Sequence, residues 1–249
     1  MLKLYAEVAG LAARRAARSW LAAVSIPVYV FAIMMTAQLV APLGMIGGII
    51  VGVVAAACLG AYLSLLASAV AGSQIRLVDL KNGLRALWDV MSVGFALWII
   101  SLLVGVLVKG AGEKGAAVAG VFSLAVAIFP NVVPELIYNS RNRSFALLKE
   151  SATWIMANPF AWFPPNLIFA FVFLWSVGAL SFSSPGALLV RLAELGSGGI
   201  LGLVVGAPLW KAPLLIVFLH YVMVFRGLLF QELSTGSRRM REFQRRMSA

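Results

Sequence analysis

The feature that most constrains this chain is a succession of long apolar runs without charge. The first run, Trp20 to Val40, has no charged side chain. A helix needs about 20 mostly apolar residues to cross the hydrocarbon core of a membrane. Comparable runs follow at Met45–Ala71, Val90–Val108, Ala116–Tyr138, Phe160–Phe182 and Pro213–Phe230. The pattern predicts an all-α, polytopic integral membrane protein with six transmembrane helices.

Composition agrees with this class and excludes several others. Hydrophobic residues make up 62% of the 249 residues and charged residues only 12%. Soluble domains average about 45–50% apolar and about 25% charged residues. A soluble globular domain, a disordered tail and a fibrous repeat are therefore excluded.

The distribution of basic residues predicts the orientation. Lys and Arg outnumber Asp and Glu by 20 to 9, and short cytoplasmic loops collect such basic excess. With both termini on one side, fifteen basic residues share that side, and only Lys109, Lys114, Arg191 and Lys211 lie opposite. We expect a bacterial inner membrane protein with both termini in the cytoplasm. The net charge of +11 then needs no nucleic acid to explain it, and anionic lipid headgroups are the expected partners.

The chain divides into three parts. Residues 1–19 predict an amphipathic interfacial helix, because Leu4, Val8 and Leu11 share one helical face. The alternative is a frayed basic N-terminus. Residues 20–231 form the six-helix domain, and residues 232–249 form a basic cytoplasmic tail. Residues 198–210 are too short a run to cross the membrane and are expected to be re-entrant or interfacial.

Two inner loops have helical patterns. The first, before the third span, carries apolar residues at three- and four-residue spacing together with a basic residue: Leu77, Leu80, Leu84, Arg85 and Trp88. The second follows the fourth span and has an apolar face formed by Phe145, Leu148, Ala152, Ile155 and Met156. Both predict cytoplasmic amphipathic helices. Such helices dock a partner or only anchor the loops to the bilayer, and the sequence leaves both interpretations open.

The second run contains small residues at every fourth position: Gly48, Gly52, Ala56, Gly60, Ser64 and Ser68. Small residues at this spacing allow another helix to approach closely. We expect packing within the chain or between copies of it. A pore lined by these residues is the less favoured alternative.

Three ionisable residues within the runs are candidate functional groups. Glu135 follows Pro130 and Pro134, which are expected to kink the fourth span. We expect its carboxylate to pair with Arg141 or Arg143 of the following loop, and a substrate or ion contact is the alternative. His220 lies in the last span, where we expect a hydrogen bond to a neighbouring helix, and a proton relay is the alternative. Arg226 lies near the inner end of the same span and is expected to snorkel to the headgroups.

Tryptophans add a boundary signal to the spans. Trp20, Trp88, Trp154 and Trp162 fall at the predicted inner boundaries and favour an aromatic belt.

Sequence motifs for catalysis or metal binding are absent. Cys58 and His220 are the only residues of their types, so an intramolecular disulfide and a His-rich metal site are excluded. There is no Walker A sequence, GxSxG elbow or HExxH pair. We therefore predict no catalytic residue, no cofactor and no metal.

Two resemblances bear on function. Pro134–Asn166, about an eighth of the chain, reads PELIYNSRNRSFALLKESATWIMANPFAWFPPN. It resembles uncharacterised six-helix bacterial membrane families, which are similar to the membrane domain of glycerophosphodiester phosphodiesterases. This likeness implies a helical bundle without an activity.

The order of elements is also similar to that of ABC-type exporter permeases. That resemblance implies an interfacial N-terminal helix, a coupling helix between spans two and three, and re-entrant helices before the last span.

Our preferred hypothesis is a non-catalytic membrane subunit that packs with other membrane or cytoplasmic proteins, or with itself. The alternative is a permease subunit for a lipid or hydrophobic solute, driven by a separate ATPase. A lipid-handling enzyme is the weakest of the three.

Overall fold

A computed structural model describes residues 1–74, 78–110, 112–140, 142–177 and 210–247 of the chain. These residues form helices and short turns, and they contain no β-strand. In chain order, the α-helices in this part of the molecule are α1 (Leu2–Arg18), α2 (Trp20–Val40), α3 (Met45–Ala71), α4 (Val78–Gly110), α5 (Gly115–Ile128), α6 (Val133–Asn139), α7 (Ala146–Ala157), α8 (Pro159–Ser176) and α9 (Ala212–Met247).

Six helical segments are long and apolar enough to cross a membrane, which confirms the predicted fold class. They are Trp20–Leu43, Met45–Ala71, Ala86–Gly110, Ala117–Asn139, Pro159–Ser176 and Ala212–Thr235. The protein is therefore a multi-pass helical membrane protein. The predicted re-entrant segment, residues 198–210, lies outside the described residues except for its last member, Trp210.

The N-terminal helix α1 packs against the bundle instead of lying on lipid with its apolar face. Val8 and Ala12 are buried in the same core as residues of the later helices. The Tyr5 hydroxyl donates a hydrogen bond to the carbonyl of Ala161 at 3.0 Å, and burial raises the pKa of that hydroxyl. The Arg15 guanidinium donates to the carbonyl of Val70 near the end of α3. These contacts make α1 part of the folded unit.

Helix α4 differs from the prediction for the loop before the third span. It starts at Val78 and continues without interruption to Gly110, so the predicted amphipathic helix is the first part of the spanning helix. Its 33 residues measure about 50 Å, whereas the hydrocarbon core is about 30 Å thick. Trp88 is exposed. Leu77 lies outside the described residues, as do the side chains of Leu80, Leu84 and Arg85.

Helix α7 uses its apolar face for packing within the chain. Leu147, Ser151 and Ile155 are buried against the bundle, whereas Phe145 and Met156 are exposed. The predicted helix after the fourth span is therefore present. Its buried face packs against the other helices of the chain and does not lie on the membrane surface.

The core lies where α1, α3, α6, α7, α8 and α9 meet. Leu66, Leu136, Leu147, Trp162 and Leu229 are almost completely buried there. Helices α4 and α5, by contrast, expose most of their apolar surface. Lipid tails are as apolar as these side chains, so the exposed faces of α4 and α5 are compatible with a bilayer. The buried core also contains polar side chains.

Candidate functional site

The fourth span is interrupted where its two prolines stand. Helix α5 ends at Ile128, a 3₁₀ turn covers Phe129–Val132, and α6 then begins at Val133. Pro130 has no N–H and therefore leaves the carbonyl four residues earlier without its helical partner. Unwound backbone is tolerated at membrane depth only where protein or water satisfies it.

Side chains from three other helices bind this interruption. The Ser151 hydroxyl of α7 donates to the carbonyl of Phe129. The Trp162 indole of α8 donates to Asn131 Oδ1 at 2.8 Å. The Arg226 guanidinium of α9 donates to the carbonyl of Asn131. The broken span is thus fixed by hydrogen bonds from α7, α8 and α9.

Glu135 and Arg226 form the ion pair at the centre of this polar cluster. Arg226 Nε donates to Glu135 Oε1 at 2.7 Å, and Nη2 donates to Oε2 at 3.1 Å. The Glu135 side chain is completely buried and that of Arg226 is 14% exposed. The guanidinium also lies over the Trp162 ring, 5.1 Å from its centroid. A two-point pair of this kind fixes both side chains in one geometry.

This arrangement corrects three expectations. Glu135 does not pair with Arg143, whose Nη1 instead donates to Asp89 Oδ2 at 2.9 Å, and Arg141 lies outside the described residues. Arg226 does not snorkel to headgroups, because its guanidinium is held by Glu135 and Asn131. Trp162 is fully buried and does not belong to an aromatic belt.

Tyr138 stands out because its buried hydroxyl has no hydrogen-bond partner among the described residues. It follows Glu135 by one helical turn in α6. A Cβ atom at Gly227 would lie 2.5 Å from this hydroxyl oxygen and 2.6 Å from a methyl group of Val70. Gly227 therefore leaves the room that the Tyr138 hydroxyl occupies between α3 and α9.

His220 is the centre of a second polar group. Its Nε2 lies 2.9 Å from Ser19 Oγ and its Nδ1 lies 3.3 Å from the Tyr62 hydroxyl. Ser19 directs its own hydroxyl to the carbonyl of Arg15 at 2.8 Å. Because the Ser19 hydrogen points to that carbonyl, Nε2–H of His220 is the donor to Ser19 Oγ. The imidazole links α9, α3 and the junction of α1 with α2.

Asp89, which no motif in the sequence marks, holds the loop before α7. Its Oδ1 accepts the backbone N–H of Ser144 at 2.8 Å, in addition to the bond from Arg143. Ser144 has a φ of +58°, a conformation that costs a residue with a Cβ about 1–2 kcal/mol. In the sequence, Asp89 is a single acidic residue directly before the apolar run that starts at Val90. This position does not indicate that its partner is Ser144, 55 residues later.

The row of small residues on α3 divides into two halves. Ala56 and Gly60 are buried, and Ser64 and Ser68 are partly buried. A Cβ at Gly60 would lie 2.7 Å from the carbonyl oxygen of Gly83, so α3 and α4 touch at this point. Gly48 and Gly52 are exposed, with no other atom within 4 Å of a Cβ built on either.

The chemistry that the described residues offer is limited. They contain no group of three or more His, Cys, Asp or Glu side chains that could hold a metal ion. A cavity of about 260 Å³ is lined by residues that belong to neither polar group: Ser176, Trp210, Lys211, Leu214, Leu215 and Phe218. The two polar groups connect helices, and each buries its hydrogen bonds within the bundle.

Comparisons with models of protein families, with curated proteins and with solved structures gave no match to this chain. The two resemblances drawn from the sequence therefore remain predictions.

Proposed function

We propose that this chain is a non-catalytic membrane subunit that associates through its spanning helices with other membrane proteins or with copies of itself. The observation that carries the proposal is the exposed half of the α3 row. At Gly60 the row of small residues is covered by another helix, because the backbone of α4 lies in contact with it. Gly48 and Gly52 continue the same four-residue period with open space beside them.

An exposed glycine offers lipid little surface for contact, whereas it lets a second helix approach to backbone distance. The large side chains beside the glycines, Ile49 and Val53, are also exposed and would flank such a helix. This is the common form of a small-residue helix interface, with a groove at the glycines and ridges on either side. The partner surface is a transmembrane helix with its own small residues.

The interior polar groups support a scaffold role. Asp89, Glu135 and His220 are buried ionisable side chains, and each is hydrogen-bonded to another part of the chain. These groups bind partners within the chain and thereby hold the bundle in one shape, as a subunit with a fixed interface requires.

The proposed location is the bacterial inner membrane with both termini in the cytoplasm. The basis is the fifteen-to-four division of basic residues between the two sides. An accessibility assay with a cysteine placed in the C-terminal tail, in a Cys58→Ala background, tests this orientation. Labelling of intact cells by a membrane-impermeant thiol reagent would contradict it.

The association itself is tested by mass analysis of the full chain in mild detergent. We expect a species heavier than the 26.6 kDa monomer, either an oligomer or a complex with a second membrane protein. Gly52→Leu should fill the groove and lower association by at least tenfold, which corresponds to about 1.4 kcal/mol. The bundle should stay folded, because the position is exposed.

The matched control is Gly105→Leu on α4, where the same change also meets open space. We expect this variant to associate like the unmodified protein. A monodisperse monomer without partners, or an equal loss in both variants, would contradict the proposal. Recovery of the chain with an ATP-hydrolysing subunit would favour the permease alternative.

A further inference from the structure

One basic residue of α1 makes a contact within the bundle, and the other three are exposed. Arg15 turns inward and binds the carbonyl of Val70. Lys3, Arg14 and Arg18 are exposed. This division exists because α1 packs on the bundle through Val8 and Ala12, which prevents the helix from rotating.

Arg14 and Arg18 are four residues apart, so they are neighbours one turn apart on the surface of α1. Glu7 is also exposed but lies nearly two turns before Arg14, at a distance where it does not neutralise Arg18. The planar guanidinium of each arginine presents a fork of N–H donors that matches a phosphate group. Arg14 Nε makes one long hydrogen bond of 3.4 Å to the carbonyl of Gly10, which leaves its other donors available.

An apolar strip begins immediately after these two arginines. It runs down the first half of α2 at three- and four-residue spacing and consists of large exposed side chains: Trp20, Leu21, Val24, Val28 and Phe31. Arg18 precedes Trp20 by two residues, so the charged end of the surface adjoins the apolar one. Tryptophan prefers the headgroup level of a membrane, which sets the depth of the junction.

We infer that this surface binds an anionic phospholipid, with the phosphate between Arg14 and Arg18 and an acyl chain along the strip on α2. Charge complementarity selects a negative headgroup, and the adjoining strip selects a lipid over a soluble phosphate. The contacts of Tyr5 and Arg15 with α8 and α3 hold α1 in place before the lipid arrives. A surface arranged in advance loses less conformational freedom on binding. The inference does not depend on the proposed association.

The test uses the full chain in mild detergent with phosphatidylglycerol or phosphatidylcholine of identical acyl chains, and native mass spectrometry to count bound lipids. Each basic residue near an anionic surface contributes about 1 kcal/mol. The double variant Arg14→Gln/Arg18→Gln should therefore bind phosphatidylglycerol about 30-fold more weakly. The matched control Lys109→Gln/Lys114→Gln removes two basic residues next to the turn between α4 and α5 and should bind as the unmodified chain does.

Two further arms identify the ligand. Soluble glycerol 3-phosphate in excess should not displace phosphatidylglycerol, and Val24→Gln/Val28→Gln should weaken lipid binding with both arginines intact. Equal binding of the two lipids, displacement by glycerol 3-phosphate, or an unchanged affinity in Arg14→Gln/Arg18→Gln would overturn the inference. The same spectra report the oligomer, so loss of lipid with association retained separates this result from a failure of the proposed function.

Discussion

Glu135 and Arg226 are 91 residues apart in the chain, yet they form a two-point ion pair inside the membrane-spanning bundle. The pair joins the second half of the interrupted fourth span to the last span. Because Arg226 also binds the carbonyl of Asn131, one guanidinium satisfies both the carboxylate and the unwound backbone.

Removing one member of the pair should destabilise the fold strongly. Glu135→Gln leaves the Arg226 charge buried without its counter-ion, and such changes cost about 3–5 kcal/mol. The free energy of unfolding, measured by titration with sodium dodecyl sulfate in mixed micelles, reports the loss. The double variant Glu135→Leu/Arg226→Met should recover part of it, because no buried charge remains. A loss below about 1 kcal/mol for Glu135→Gln would contradict the central role of the pair.

Tyr138→Phe should stabilise the protein or leave its stability unchanged. The Tyr138 hydroxyl is buried without a partner among the described residues, and an unsatisfied buried group costs about 1–3 kcal/mol. Tyr62→Phe is the matched control, since it removes the hydroxyl that binds His220 and should destabilise by about 1 kcal/mol. Thermal unfolding followed by circular dichroism compares the two variants. Equal destabilisation by both would contradict the absence of a hydrogen-bond partner for the Tyr138 hydroxyl.

Gly83→Ala should force α3 and α4 apart. The added Cβ would lie 2.5 Å from the Cα of Ala61, which is backbone and cannot turn away. Overpacking of this kind costs about 1–3 kcal/mol. Gly94→Ala on the same helix meets no other atom within 4 Å and should stabilise, because alanine favours the helix by about 1 kcal/mol. The difference in unfolding free energy between the two variants measures the contact, and equal values would argue against it.

Asp89→Ala should release the loop between α6 and α7. Asp89 binds the backbone of Ser144 and the side chain of Arg143, and losing hydrogen bonds to a charged group costs about 1.5–3 kcal/mol. We expect trypsin to cleave after Arg143, a largely exposed residue, at least tenfold faster in the folded variant. Glu232→Ala, which removes an exposed carboxylate, serves as control and should leave the rate unchanged. An unchanged rate in Asp89→Ala would show that the loop is held by other contacts.

Properties that depend on residues close together in the chain follow from the sequence. The uncharged run from Trp20, the period of four around Gly60 and the prolines at 130 and 134 are local signals of length, spacing and missing N–H groups. The uncharged run forms a spanning helix. The period of four places Gly60 against Gly83, and the two prolines mark the interruption before α6.

The sequence does not select the partner of a polar side chain that has several candidates. Glu135 was expected to pair with Arg141 or Arg143, which are close in sequence, whereas the bundle brings Arg226 to it and leaves Arg143 to Asp89. Trp162 fell at a predicted boundary, and its burial follows from its bond to Asn131 in the unwound turn. Neither outcome is encoded in spacing, because both depend on which helices become neighbours.

By itself, therefore, the sequence determined that the protein is a helical membrane protein with six helices long and apolar enough to span the bilayer. Apolar length and helical period are properties of a single segment. Each segment has to be long and apolar enough to cross the bilayer by itself. Only the tertiary structure decided that α1 belongs to the bundle, that α7 closes against the interrupted span, and that Arg226 neutralises Glu135. Those outcomes depend on helix packing, in which a buried polar group must find whichever partner the neighbouring helix presents.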